Sequence, residues 1–357
     1  MKNKILISTG GSGGHVIPAL TFYDHLKIHN EVFISSDLRG SKFIESKFYD
    51  IKIIDVLPLN KNILFLPLSI IFFIIAIFKS LIFLKKNKIN TVLSTGGYMS
   101  LPVCIGAIFL RCKIILFEPN MVLGRANLFL LSRCFSIFCY SKNILNFPDK
   151  LKNKIRLISP LLKKEIYLEE KFNNQFLKKV KILIIGGSQG ADFFQNNLKD
   201  TILKLSEKFQ IEILHQVSIK NEKNLRDFYE KNKIKYELFS FNNSLHKMIT
   251  SSNLCITRSG ASSLAELVHL NMPFIAIPLP HSKDNHQLYN ALFYKDLNCC
   301  WMIKQSSNIS NELYNLILNI FENKDDLNKK IVAMKKISYD NSWNNINKKI
   351  MSVINEN

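Results

Sequence analysis

The sequence lacks the motifs that tie a chain to the commoner metal and mononucleotide chemistries. Its seven cysteines, at 104, 112, 134, 139, 255, 299 and 300, form no C-x-x-C pair and no His-Cys cluster at zinc spacing, so reduced thiols are expected. No Asp-x-Asp occurs anywhere, which disfavours a leaving diphosphate neutralised by a metal on paired carboxylates, and no metal site or cofactor is expected. No Gly-Lys-Ser/Thr follows a glycine-rich turn, which excludes a Walker loop, and low-complexity segments with a functional signature are absent. There is no long basic block either. The net charge of +20 is spread along 357 residues, without the aromatic-interleaved basic patches of a nucleic-acid binder, so nucleic acid is not an expected partner. Scattered lysines still favour anionic partners such as phosphorylated small molecules or an anionic leaflet. Met1 is followed so soon by the strand-like Ile5-Leu6-Ile7 that no signal peptide fits, and a cytoplasmic start is expected.

What is present is a duplicated architecture. KILISTGGSGGH begins at residue 4 and KILIIGGSQGAD at residue 181, each an apolar run emptying into a Gly-Gly-Ser turn before a helical stretch. Further strand candidates alternate with helices: Val32 to Ser35, Ile51 to Val56, Val92 to Ser94, Ile114 to Phe117 and Ile137 to Tyr140, then Ile211 to His215, Tyr236 to Phe239, Leu254 to Thr257 and Phe274 to Ile277. Such alternation predicts an α/β fold of two Rossmann-like, doubly wound domains. Length agrees, because one core seldom organises a chain of this size. A linker is expected near Ser159-Pro160, giving domains 1–160 and 161–339, with a polar helix over 340–357 anchored by Trp343 and Ile346.

Residues 63–84, ILFLPLSIIFFIIAIFKSLIFL, are flanked by Lys61 and by Lys85, Lys86 and Lys88. The run is long enough to cross a bilayer, yet Pro67, Ser69, Lys79 and Ser80 interrupt it, and it falls between two predicted strands of one sheet. A helix lying on the membrane, its basic flank facing headgroups, is the preferred reading over a core helix or a span.

The first turn, Gly10-Gly11-Ser12-Gly13-Gly14-His15, suits an anionic oxygen, since glycines admit a close approach and the helix start supplies unpaired N–H groups. It fails as a dinucleotide fingerprint because Val16 stands where the third small residue belongs. His15, at the mouth of the sheet, is a candidate general base or, more plainly, a capping or packing residue. The second turn, Gly186-Gly187-Ser188-Gln189-Gly190-Ala191, adds two hydrogen-bonding side chains before a helix. Two such turns facing each other across a cleft would take two phosphorylated substrates. The run Thr257-Arg258-Ser259-Gly260-Ala261-Ser262-Ser263-Leu264-Ala265-Glu266 passes from strand to helix, so it offers phosphate a helix start and hydroxyls a carboxylate, though helix capping alone would also account for it. Ser94-Thr95-Gly96-Gly97-Tyr98, Phe117-Glu118-Pro119-Asn120 and Pro278 to Gln287 also follow strands, on the edge where open sheets bind ligands.

Together these blocks resemble the bacterial N-acetylglucosaminyltransferases that convert lipid I to lipid II. The matching stretches are TGGSGGHVIPAL, STGGYMSLP, FEPNMVLGRAN, IGGSQGA, TRSGASSLAE and DNHQ…NA, in the family's order over essentially the whole chain. The resemblance implies a GT-B glycosyltransferase with the active site in the cleft between its domains and a C-terminal helix crossing back to the first. It implies an inverting transfer from UDP-N-acetylglucosamine, a co-substrate, to the 4-hydroxyl of MurNAc in lipid I. It further implies a peripheral enzyme of the cytoplasmic face of the inner membrane, attached through residues 63–88, with cell-wall synthesis and division proteins as partners. Residue by residue, Ser188 and Gln189 would approach the donor diphosphate, with Gly190 a further substrate contact, and the backbone near Phe241 would read the uracil. Ala261, Ser262, Ser263, Leu264, Ala265 and Glu266 would hold phosphate and ribose, with Arg258, Ser259 and Gly260 as further substrate contacts, and His286 or Gln287 would hold the sugar hydroxyls. Ser12, Gly13, Gly14, Asn120 and Asn127 would complete the donor site and receive the acceptor's diphosphate. His15 would be the base, oriented or assisted by Glu118.

This chain departs from the family's pattern at three points. Ser159-Pro160-Leu161-Leu162 stands where Asn-Pro-x-Arg is usual, leaving Lys163 or Lys164 to replace the arginine. Pro119 replaces a glutamine, and His215-Gln216-Val217-Ser218 stands for His-Gln-Ser-Gly. Two other enzyme classes come into question. A UDP-N-acetylglucosamine 2-epimerase would share fold and donor without needing a membrane-seeking helix, and a dehydrogenase would use Asp37 as its ribose acid.

Overall fold

A computed structural model describes residues 3–45, 49–56, 66–172, 179–240, 242 and 244–356. The chain divides into two units, Met1–Lys164 with Ser342–Asn357, and Glu165–Asn341.

The first unit holds β1 (Lys4–Ser8), α1 (Gly13–Leu26), β2 (Glu31–Ser36), α2 (Leu38–Ser41), β3 (Ile51–Ile53), α3 (Leu66–Lys86), β4 (Thr91–Ser94), α4 (Leu101–Phe109), β5 (Lys113–Glu118), α5 (Arg125–Leu130), β6 (Ser136–Cys139) and β7 (Ile155–Leu157). All strand pairs are parallel, in the order β3-β2-β1-β4-β5-β6-β7. A parallel sheet is covered on both faces, which is why β1 and β5 read as unbroken apolar runs: Ile5, Leu6, Ile7, Ile115, Leu116 and Phe117 have no exposed surface. Phe22 of α1 meets Phe117 edge to face, centroids 5.2 Å apart. Each such buried ring contributes roughly 2–3 kcal/mol of transfer free energy. The winding reverses between β1 and β4, so the loops after these strands flank the crevice where such sheets take ligands. β3 is shorter than the expected Ile51 to Val56, although Ile54 still donates to Ser36 O at 3.0 Å. β7 was not expected: its three residues are too few to show alternation.

Helix α3 packs on α4 through a stripe of small residues. Ser69, Ala76, Ser80 and Leu84 are its buried positions, and a Cβ on Gly106 of α4 would lie 3.4 Å from Ser80 Cβ. The other side is apolar and bare: Leu68, Ile70, Ile71, Phe72, Ile74, Ile75, Phe78 and Ile82 are exposed, and Phe109 at the end of α4 is 71% exposed. By length and composition α3 could cross a membrane, but only 17% of its most apolar window is buried, so it is not the core helix that was one of the sequence readings. Residues 63–65 of the predicted run lie outside the described residues.

The second unit holds β8 (Lys179–Ile185), α6 (Gly187–Asn197), α7 (Lys199–Lys208), β9 (Gln210–Gln216), α8 (Glu222–Lys231), β10 (Lys235–Phe239), α9 (Leu245–Thr250), β11 (Leu254–Thr257), α10 (Ala261–His269), β12 (Phe274–Ala276), α11 (His286–Asp296), β13 (Trp301–Met302), α12 (Ile309–Glu322) and α13 (Lys324–Ser338). Its parallel sheet runs β10-β9-β8-β11-β12-β13, with the reversal between β8 and β11. The two-residue β13 was also not expected.

After α13 the chain returns to the first unit as α14 (Trp343–Asn355), capped by Ser342, whose side chain accepts from Asn345 N. Its apolar stripe, Ile346, Ile350, Val353 and Ile354, is buried. Trp343 stacks on His25 of α1 with centroids 3.6 Å apart, and Lys113 Nζ donates to Val353 O at 2.9 Å and Ile354 O at 3.1 Å, satisfying carbonyls at the helix end.

Candidate active site

In the first unit the site is built at the strand reversal. Ser12, extended at φ −147°, caps α1 without using its side chain, so the N–H groups of Gly13 and Gly14 open the helix with no acceptor inside it. One turn in, His15 Nδ1 lies 2.8 Å from Thr95 O. A carbonyl can only accept, so Nδ1 carries the proton and a neutral ring keeps its lone pair on Nε2. Gly96 and Gly97, at φ +87° and +82°, let this loop pass the ring: a Cβ on Gly97 would lie 3.3 Å from His15 Nε2. Thr95 Oγ1 is fixed in turn by Thr9 Oγ1 at 2.8 Å.

Glu118, at the end of β5, is buried and its carboxylate organises the loop that follows. Oε1 accepts from Asn120 N at 3.2 Å and Asn120 Nδ2 at 2.9 Å; Oε2 accepts from Gly124 N at 2.8 Å and Asn127 Nδ2 at 2.9 Å. Four donors from the following loop and the start of α5 thus fill the carboxylate, which gives Glu118 the geometry of a positioning residue. Asn127 also donates to Phe117 O at 3.0 Å, while its Oδ1 is buried without a partner, 3.6 Å from where a Gly96 Cβ would stand.

The first glycine turn has a second anchor. Asp37, at the end of β2, is buried, and its Oδ1 accepts from Gly11 N at 2.7 Å and Gly40 N at 3.0 Å while Oδ2 pairs with Arg39 Nε at 3.1 Å. A Cβ on Gly10 would lie 2.4 Å from Asp37 Oδ1, so glycine is required there. Because this carboxylate is occupied by the turn, it is not the free ribose acceptor that a dehydrogenase needs.

In the second unit, α6 opens at Gly186-Gly187, where Gly187, at φ +65°, donates to Gln216 Oε1 at 2.8 Å. Ser188, Gln189 and Gly190 stand in its first turn; their side-chain surroundings lie outside the described residues, as does Phe241. α10 begins after Gly260 with no side-chain cap, leaving the N–H groups of Ala261, Ser262 and Ser263 at its open end, with Glu266 partly exposed further along and Leu264 and Ala265 buried. The turn before it is held from α11: Gln287 Oε1 accepts from Ser259 N at 3.2 Å and Leu279 N at 3.0 Å, and Asn290 Nδ2 donates to Ser259 O at 3.1 Å. His286 Nδ1 lies 2.8 Å from Lys283 O, which leaves Nε2 as the ring's other polar atom.

Arg258, one of the expected substrate contacts, has a buried guanidinium near the rings of Phe193 and Phe194, donating to Ile277 O at 3.1 Å, Pro278 O at 3.2 Å and Gln305 Oε1 at 2.9 Å. Burial lowers its pKa to about 10, so it stays charged at neutral pH and ties the loop after β11 to the loop after β12. Its partners are distant in sequence, which hid this role. Thr95, Asp37, Gln216 and Asn290 were also missed as positioning residues; of these only Asp37, three residues before Gly40 and directly after a strand, carries a local capping signal. The junction leucines, Leu161 and Leu162, are buried, with Leu161 N donating to Tyr140 Oη at 3.0 Å. Among the described residues no group of three His, Cys, Asp or Glu is arranged to hold a metal ion.

Acinetobacter baumannii MurG shares this fold at TM-score 0.77 and 22% identity, over 99% of both chains. The UDP-GlcNAc 2-epimerase from Neisseria meningitidis bound to UDP-GlcNAc does so at 0.65 and 13%, over 99% of this chain and 100% of that one. Two such sheets define a glycosyltransferase-type GT-B fold, which epimerases also use. Residues 5–139 match the glycosyltransferase family 28 N-terminal domain and residues 181–344 its C-terminal domain. The chain belongs to glycosyltransferase family 28. The UDP-N-acetylglucosamine--N-acetylmuramyl-(pentapeptide) pyrophosphoryl-undecaprenol N-acetylglucosamine transferase of Pelagibacter ubique (strain HTCC1062) is 50% identical over 357 residues, all of both chains. The protein of that name from Rickettsia canadensis (strain McKiel) is 34% identical over 330 residues, 90% of this chain and 91% of its own.

Proposed function

We propose that this chain transfers N-acetylglucosamine from UDP-N-acetylglucosamine to the 4-hydroxyl of MurNAc in undecaprenyl-pyrophosphoryl-MurNAc-pentapeptide, with inversion and loss of UDP, forming lipid II for peptidoglycan synthesis. The observation that carries the mechanism is the 2.8 Å contact between His15 Nδ1 and Thr95 O, which leaves Nε2 to accept the acceptor's proton as its oxygen attacks the anomeric carbon. Glu118 orients Asn120 and Asn127, the latter facing the Gly96 turn that also borders the His15 ring. The donor diphosphate is received in the second unit by main-chain N–H groups opening α6 and α10, whose positive ends stabilise the charge building on departing UDP. Glu266 and His286 or Gln287 take ribose and sugar hydroxyls. The Gly13 and Gly14 amides receive the acceptor's diphosphate.

The bare face of α3 supports a peripheral seat on the cytoplasmic side of the inner membrane, with Lys79, Lys85, Lys86 and Lys88 facing anionic headgroups. A lipid-linked acceptor gives that face a purpose that an epimerase lacks. The test is radiolabel transfer from UDP-N-acetylglucosamine to a lipid I analogue. The native protein yields lipid-extractable label, and His15→Ala loses about 100-fold or more, the scale of a missing general base. No label with the native protein would reject the function; equal rates in the variant would reject His15 as base.

A further inference from the structure

Arg39 is a cation placed by design of the fold beside the first glycine turn. Asp37 joins the two directly: one carboxylate oxygen accepts Gly11 N at 2.7 Å and the other pairs with Arg39 Nε at 3.1 Å. The carboxylate is fully buried, whereas the Arg39 side chain is 51% exposed. Its Nη2 points to Met99 Sδ at 3.4 Å, and Met99 Cβ would lie 3.1 Å from a Cβ on Gly10, so the guanidinium lies beside the point where the two loops flanking the strand reversal meet. A thioether is a weak acceptor, and Nη1 has no partner among the described residues, so donors on both terminal nitrogens remain available. The turn's own N–H groups are neutral, whereas a diphosphate carries formal charge and is bound best by a planar guanidinium fork.

We propose that Arg39 binds the diphosphate of the polyprenyl-linked acceptor, with Asp37 as its positioning residue. This rests on the reading of the first unit as the acceptor's side. Asp37 keeps Arg39 from folding away into solvent and registers its charge against Gly11, so the cation and the opening amides of α1 act on one ligand. A lysine would carry the charge without the Nε–Asp37 pairing or the fork.

Steady-state transfer, with donor and acceptor varied separately, tests the assignment. Arg39→Ala is expected to raise KM for a lipid I analogue by about 10- to 100-fold, the range for a lost hydrogen bond to a charged group. KM for UDP-N-acetylglucosamine stays unchanged. Arg39→Lys recovers part of the loss, and Asp37→Asn, which keeps an oxygen for Gly11 but loses the ion pair, shows a smaller rise. With a MurNAc-pentapeptide acceptor lacking phosphate, native and Arg39→Ala proteins have the same KM. An unchanged acceptor KM, a shifted donor KM, or an equal penalty on the phosphate-free acceptor would each overturn the proposal. Direct binding of farnesyl diphosphate, measured by calorimetry on protein whose melting temperature matches the native one, separates this result from failure of the transfer reading. Weaker binding by Arg39→Ala supports the site even if no sugar moves, and equal binding refutes it.

Discussion

Thr95 acts through its main chain: the carbonyl that fixes the His15 tautomer would be supplied by any residue at that position, so no side chain in the sequence advertises it. What does show in the sequence is the glycine pair beside it, whose positive φ values make room for the ring. Gly97→Ala therefore places a methyl group 3.3 Å from Nε2 on a backbone that L-residues resist, and should cost about 1–3 kcal/mol of stability together with a fall in kcat, read by denaturant unfolding and by transfer rate. Glu118→Gln tests positioning against acid-base work. A glutamine turns an NH2 toward donors that the carboxylate accepts, so kcat should drop about 10-fold or more while the pH–rate profile keeps the native midpoint. His15 and Glu118 stand out in the sequence because an imidazole opening a helix after a glycine turn and a carboxylate at a strand end are conspicuous. Arg258 was conspicuous for the same reason, as a charged residue in a glycine- and serine-rich run, but its carbonyl partners at 277 and 278 show only in the structure.

At the scale of elements, most strands could be read from their apolar runs, since parallel strands buried on both faces leave an unbroken signal. β7 and β13 could not, being three and two residues long and held by neighbours, not by pattern. Helix α3 was visible as an apolar run, but only the structure separates its two sides, because nearly every position is hydrophobic and the packed stripe differs by size, not polarity. That division makes a paired prediction. Phe78→Glu with Ile82→Glu, both on the bare side, should leave the melting temperature near native and reduce partitioning onto anionic vesicles about 10-fold or more, seen by sedimentation. Gly106→Leu, on the packed side against Ser80 and Leu84, should instead lower the melting temperature while leaving the bare face intact.

For the whole molecule, the duplicated plan was legible because each half repeats a strand and a Gly-Gly-Ser turn, whereas the docking of α14 on α1 through Trp343 and His25 depends on contacts between opposite ends of the chain. The second unit also buries two histidines, His215 and His269, in its core. Burial pushes His215 down to about 3 and His269 down to about 4, from an ordinary value of 6.5. The unfolded chain then binds protons that the folded one refuses, so stability is full above pH 6.5 and is lost as pH falls toward 4, by ~2 kcal/mol per histidine between pH 7 and 5. Urea unfolding across this range should show that slope, flattened in a His215→Gln, His269→Gln variant.

The most direct test of the whole account is the protonation state of a single ring. Long-range nitrogen–proton correlation NMR on the nitrogen-15 histidine-labelled protein, at a pH where His15 is neutral and assigned by loss of its signals in His15→Gln, reports which nitrogen bears hydrogen. The account predicts a proton on Nδ1 and an unprotonated Nε2; a ring protonated on Nε2 would leave no basic nitrogen facing the acceptor and would contradict it.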